Sequence, residues 1–173
     1  MSRSPFFYVE RFDTNTNKYE LQHPIVWNYN HTKQEPAELF PYNGCHDLFS
    51  IVEQKGNFPE MKGIHSGLPI NVSEEIYKAY HDDGEDDFIY MPTAYWFTYA
   101  DMYIYCLEHP KVIDYDAMDE AYETLQEGEK VEPVYTDTPM ITLKNRVDAF
   151  MEVMDGWDWR NDYSQIRIVY WIF

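Results

Sequence analysis

The sequence is poor in cysteine, and its two cysteines form no recognisable pair. Cys45 and Cys106 are the only ones in 173 residues, and neither stands in a Cys-x-x-Cys motif. Two cysteines are too few for a disulfide framework, and their number fits a reducing compartment. We therefore predict a cytoplasmic protein.

Long apolar segments are missing as well. No stretch approaches the roughly twenty apolar residues that a transmembrane helix requires. The first residues, 1–7, also lack the apolar core of a secretory signal. We expect no membrane partner.

Basic residues are scarce. The chain has 13 lysines and arginines against 31 acidic residues, which gives a formal net charge of −18. Such a field repels nucleic acids and attracts basic protein surfaces, although it also serves simply to keep a protein soluble. We predict no direct nucleic-acid binding, and we expect a basic protein to be one candidate partner.

The motifs of common cofactor and metal sites are absent from the sequence. None of the six histidines is paired at i, i+4, and no Cys/His spacing matches a zinc site. The segment Gly63–Gly67 lacks the Lys-Ser/Thr of a phosphate-binding loop, and no dinucleotide fingerprint occurs. We assign no catalytic residue, metal or cofactor, and we expect a binding protein rather than an enzyme.

Aromatic and β-branched residues are plentiful, and they predict the sheet. The last ten residues, Ser164–Phe173, are apolar after Arg167 and have the length of a buried strand. The segments Pro5–Phe12 and Tyr19–Tyr29 flank a polar turn and predict a hairpin beside that strand. We predict an α+β fold in a single domain, 1–173, in which a small, mostly antiparallel sheet packs with about five helices.

Capping residues and apolar spacing predict where the helices lie. Thr98 and Asp101 have the spacing of a capping box, and the clearest amphipathic stripe follows Pro139. The acidic run Asp82–Asp87 is interpreted as a solvated loop. The segment Glu129–Asp137 is also predicted to be a loop. The predicted helices begin at Asn43, Ser73, Thr98, Asp114 or Asp116, and Thr138.

Six residues have the chemistry of a nucleotide site. His65 and Ser66 lie in a loop stiffened by glycines and prolines, where side chains are held in fixed geometry. Aromatic rings suit stacking on a base, and guanidinium groups suit phosphate. The competing interpretation is structural, with His65 and Ser66 satisfying local backbone groups and the tryptophans rimming the core. The candidate ligand-binding residues are His65, Ser66, Trp96, Trp159, Arg160 and Arg167.

Four short motifs carry a family resemblance. They are Asp47-Leu48-Phe49-Ser50-Ile51, Gly67-Leu68-Pro69-Ile70-Asn71-Val72-Ser73-Glu74, Tyr95-Trp96-Phe97-Thr98 and Gln165-Ile166-Arg167-Ile168-Val169-Tyr170-Trp171. Their succession resembles a family of small acidic proteins encoded by tailed phages and prophages, over roughly 42–173. The chain departs from that pattern in having Tyr95 where the family has Ser, and in added length over 106–130.

The resemblance implies an accessory or counter-defence role in the host cytoplasm. The first hypothesis is a protein that sequesters a nucleotide-derived host immune signal. The alternative is an acidic inhibitor that blocks the nucleic-acid channel of a defence nuclease, in the manner of some anti-CRISPR proteins. A second alternative is an enzyme that degrades the signal. The sequence leaves open whether the chain is a monomer or a homo-oligomer.

Overall fold

The C-terminal strand is the middle strand of the main sheet. The computed structural model describes residues 5–22, 50–54, 58–85, 93–126, 128–155 and 163–172. The main sheet has the order β2-β1-β7-β4-β3, and β7 pairs with β1 on one side and β4 on the other. All described pairings are antiparallel. The strands are β1 Pro5–Asp13, β2 Lys18–Leu21, β3 His65–Ser66, β4 Ala94–Thr98, β5 Lys111–Ile113, β6 Tyr135–Asp137 and β7 Ile166–Ile172.

In the part of the chain that the structure describes, five helices accompany the sheet, as predicted. The first, α1, is described at residues 50–52. The others are α2 Glu74–Glu85, α3 Tyr99–Glu108, α4 Tyr115–Glu123 and α5 Pro139–Asp155, and a 3-10 turn, Tyr163–Gln165, leads into β7. The predicted α+β class, with the N-terminal hairpin beside the C-terminal strand, is therefore confirmed.

The two faces of the sheet carry separate apolar clusters because side chains alternate along each strand. On one face Tyr170 and Phe97 pack with α3 and α5, through residues such as Met102 and Leu143. On the other face Val169 and Trp171 pack with Ile76 of α2. Burial on both faces is why β7 reads as an almost continuous apolar run.

The helix starts follow the capping chemistry of the sequence. Thr98 and Asp101 form the predicted capping box at α3, and Asp114 caps α4 by accepting a hydrogen bond from the Ala117 N–H. On α5 the predicted stripe is buried at Leu143, Val147 and Met151.

Three local predictions are wrong. His65 and Ser66, expected in a loop, form β3 because they pair with β4. The segment 129–137, also expected to be a loop, contains β6. The acidic residues 82–85 continue α2 instead of leaving it.

Other predictions concern residues outside the described ranges. The proposed helix start at Asn43, residues 23–29 of the predicted second hairpin strand, and residues 86 and 87 lie outside the described residues.

Candidate functional site

Two of the predicted ligand residues lie at the edge of the main sheet. His65 pairs with Trp96 and Ser66 pairs with Tyr95. Because successive side chains of a strand point to opposite faces, His65 and Ser66 belong to different faces of the sheet. The exposed ring of His65 stacks on Trp96, with the centroids 4.2 Å apart and the planes 20° apart.

Arg167 is buried in the sheet and is held by two partners. Its side chain is 3% exposed and that of Glu10 is 0% exposed. Nε donates to Glu10 Oε2 at 2.5 Å, while Nη1 and Nη2 donate to the side-chain and backbone oxygens of Asn71 at 2.8 and 3.0 Å. The guanidinium charge is therefore compensated inside the protein.

Aromatic rings extend this buried pair into a row across one sheet face. The Arg167 Cζ atom lies 3.5 Å from the ring centroid of Tyr19 and 5.7 Å from that of Trp96. Beyond Trp96 the row continues to His65, whose ring stacks on that of Trp96. The structure thus brings His65, Trp96 and Arg167 together, places Ser66 on the opposite face, and does not describe Trp159 or Arg160.

Glu10 is a central residue that the sequence interpretation missed. Its Oε1 accepts a hydrogen bond of 2.6 Å from the backbone N–H of Ser73, immediately before α2. In a capping box that acceptor would come from the third helical residue, which here is Ile76. Glu10 therefore supplies the missing acceptor from β1 and ties the start of α2 to the sheet. The available signal was the presence of opposite charges, Glu10 and Arg167, in two strands that were expected to pair.

A second polar cluster lies between α3 and α5. The Tyr99 hydroxyl donates to Asp148 Oδ1, and Lys144 Nζ lies 2.6 Å from Asp148 Oδ2. Cys106 is buried nearby, and burial, reinforced by Asp148 and opposed by Lys144, raises its pKa to about 11. At neutral pH Cys106 is consequently a protonated thiol, which is a poor nucleophile.

An open polar cavity of about 310 Å³ lies at the turn end of the β1–β2 hairpin. Asp13 on its wall has a lowered pKa, chiefly because its carboxylate accepts a hydrogen bond from the Asn15 backbone. Of the four predicted ligand residues that the structure describes, none lines this cavity. Its lining residues are Arg11, Phe12, Asp13, Thr14, Asn15, Glu20, Gln22 and Gln165.

The segment 111–137, described except at residue 127, is rich in acidic residues, and we call it the acidic arm. It comprises β5, α4 and β6, and it contains nine acidic residues against two lysines. Its ends are joined by the β5–β6 pairing and by an ion pair of 2.5 Å between Lys111 and Asp137. No residue of α4 is buried.

Large apolar side chains are exposed on this arm. Tyr122 and Tyr135 are 57% and 60% exposed. Tyr115 contacts Phe58 edge-on, with ring centroids 6.5 Å apart, and is still 39% exposed. The acidic arm therefore combines negative charge with aromatic surface.

Within the part of the chain that the structure describes, no three histidine, cysteine, aspartate or glutamate side chains group as metal ligands would. No described helix combines the length and apolar character that spanning a bilayer requires. Comparison with known proteins found no matching family model, no matching curated protein and no matching solved structure.

Proposed function

We propose that this chain is a counter-defence binding protein that inhibits a basic host protein, by placing an acidic surface in the nucleic-acid channel of a defence nuclease. The observation that carries the proposal is the state of Arg167. Arg167, which was expected to hold a phosphate, is buried against Glu10. Its two terminal nitrogens, Nη1 and Nη2, donate hydrogen bonds to Asn71. A guanidinium that is already paired and desolvated offers little to an anionic ligand.

The net charge supports the same choice. At −18 the field of the whole molecule attracts basic surfaces and opposes the approach of a polyphosphate. Electrostatic complementarity of this kind raises association rates and selects partners. The acidic inhibitor is accordingly the first candidate, ahead of the nucleotide-sequestering protein.

Native mass spectrometry of protein purified from cells in which it acts tests this proposal. We expect a co-purified protein with a basic surface, lost when the salt concentration is raised. A co-purified molecule with the mass of a nucleotide, and no protein partner, would contradict the proposal. The two outcomes differ in mass by more than tenfold, so one spectrum separates them.

Sequestration of a nucleotide at the sheet edge is a second candidate, favoured by the stack of His65 on Trp96. On this hypothesis a base stacks at the exposed His65–Trp96 edge. Trp96→Ala should then weaken binding by about 1 to 3 kcal/mol, the usual contribution of stacking on an aromatic residue. Calorimetry against cyclic and linear nucleotides checks this, and Ser66→Ala is a control because Ser66 lies on the other face.

The same titration separates sequestration from degradation. Intact ligand released on denaturation indicates sequestration, whereas altered ligand indicates an enzyme. No binding of any nucleotide at millimolar concentration would remove both possibilities.

A further inference from the structure

The helix α4 of the acidic arm is unusually exposed for an ordered element. None of its residues is buried, and residues 117, 118 and 121 are half-buried on its inner side. Its outer side carries exposed tyrosine and carboxylate side chains. A helix whose outer face is aromatic as well as charged differs from an ordinary solvated helix face, which is purely polar.

Helical spacing arranges these side chains in two adjacent columns. Tyr115, Asp119 and Tyr122 follow each other at i, i+4 and i+7, so they lie on one line along the helix. Asp116, Glu120 and Glu123 have the same spacing and form the neighbouring column.

Within the described ranges, no cation pairs with the carboxylate column. The side chains of Asp116, Glu120 and Glu123 are exposed, and among the described residues none of the three takes part in an ion pair or side-chain hydrogen bond. Like charges at i, i+4 oppose helix formation, so this column destabilises α4 in the free protein. A cationic partner would relieve that repulsion.

Tyrosine and carboxylate neighbours within the first column, Tyr115–Asp119 and Asp119–Tyr122, favour one kind of cation. A guanidinium group is planar, stacks on an aromatic face and donates two parallel hydrogen bonds to a carboxylate. An ammonium group makes the ionic contact as a point charge and lacks the planar stacking surface. Alternating tyrosines and carboxylates therefore complement arginine better than lysine.

From the exposure, spacing and charge of these side chains we infer that the outer face of α4 is a docking surface for an arginine-rich surface of a partner protein. This inference rests on the proposed function and identifies the surface that would carry it. Exposed Tyr135 of β6 and Val134, the residue before that strand, extend the surface beyond the helix. The acidic arm holds nine of the 31 acidic residues in 27 of 173 positions, which is more than its share of the chain length.

Two synthetic peptides, nona-arginine and nona-lysine, test the chemistry of the surface. We expect the full chain to bind nona-arginine several-fold more tightly than nona-lysine at 50 mM salt, measured by fluorescence anisotropy. Tyr122→Ala should reduce this preference, and Tyr122→Phe should retain it because the ring remains. Equal affinity for the two peptides, or a preference that Tyr122→Ala leaves unchanged, would overturn the inference.

Two triple variants with the same net charge test its location. The arm variant is Asp116→Asn, Glu120→Gln and Glu123→Gln, and the control variant is Glu20→Gln, Glu60→Gln and Glu75→Gln, which are exposed acids elsewhere. We expect the arm variant to lower nona-arginine affinity about tenfold at low salt and the control variant to lower it much less. Circular dichroism and thermal melts check that both variants fold.

The failures of the two proposals are distinguishable. If both triple variants weaken binding equally, the attraction is spread over the molecule, and the docking surface is wrong while the proposed function stands. If the wild-type protein binds neither peptide at 50 mM salt, both the docking surface and the proposed function are wrong.

Discussion

At the scale of single residues, the Glu10–Arg167 pair links the ends of the chain. The two residues are 157 positions apart, and their side chains meet because β1 and β7 place Glu10 opposite Arg167. The chemistry of Arg167 as a cation could be predicted from sequence, but the identity of its partner depended on the strand register. A shift of one residue would have turned Glu10 to the other face.

Breaking this pair should destabilise the fold strongly. We expect Arg167→Met to lower the free energy of unfolding by about 3 to 5 kcal/mol, because it leaves Glu10 buried and uncompensated. Adding Glu10→Gln to that variant should recover part of the loss, since the amide still accepts the Ser73 N–H without a charge. Urea denaturation measures each free energy.

Lys62→Met, at an exposed position, provides the matched control for the pair. An unfolding midpoint of Arg167→Met equal to that of the control would contradict a stabilising role. Strict additivity of the two substitutions would show that Glu10 and Arg167 are not coupled.

Cys106 gives a second prediction at the residue scale, concerning alkaline pH. Burial raises its folded-state pKa from 9.0 to about 11. Above pH 9 the unfolded chain loses the thiol proton while the folded chain keeps it, so the free energy of unfolding falls as pH rises. The full contribution between pH 9 and 11 is about 2 to 3 kcal/mol.

The comparison of wild type with Cys106→Ala isolates this effect. Burial also raises the pKa of Tyr105, to about 12, so some alkaline destabilisation remains in the variant. We expect urea midpoints measured at pH 7, 9 and 10.5 to fall less steeply for Cys106→Ala. Parallel pH profiles for the two proteins would contradict the assignment.

At the scale of elements, the sequence predicts the long helices and strands but not the shortest strands. The central strand β7 and the helices α3 and α5 have clear apolar patterns, α3 also has a capping box, and all three are present. The strands β3, β5 and β6 have two or three residues each, too few for an alternating pattern to be recognised. His65 and Ser66 were therefore assigned to a loop, although pairing with β4 decides which face each one occupies.

Gly63 and Gly67 offer a matched test of how the 58–73 segment docks. Both have positive φ, at +87° and +88°, so alanine at either position is strained by about 1 to 2 kcal/mol. A Cβ at Gly67 would meet nothing within 4 Å, whereas at Gly63 it would lie 2.4 to 2.8 Å from the Asp101 carboxyl group. Asp101 is held there by the capping box of α3, in which its Oδ2 accepts the Thr98 N–H at 3.0 Å.

Gly63→Ala should consequently cost more stability than Gly67→Ala. Displacing the Asp101 carboxylate disrupts the cap, which adds about 1 kcal/mol to the backbone strain. Thermal and urea unfolding of the two variants measure the difference. Equal losses would mean that Gly63 does not pack against the helix start.

At the scale of the whole molecule, the net charge does not determine the fold. The α+β architecture follows from the apolar patterns, and it would be retained if exposed acids were neutralised. The candidate site was predicted only in part. Residue chemistry identified His65, Trp96 and Arg167, which do converge. It could not reveal that Glu10 neutralises Arg167 or that the acidic helix α4 has no buried residue.

The dependence of the association rate on salt tests most directly whether the acidic surface acts in binding. The partner identified by native mass spectrometry would be titrated against wild type, the arm variant and the control variant between 50 and 400 mM salt. We predict that the wild-type association rate falls steeply with salt, that the arm variant is slow at all salt concentrations, and that the control variant resembles wild type. An association rate that is independent of salt, and the same for all three proteins, would contradict the proposed function.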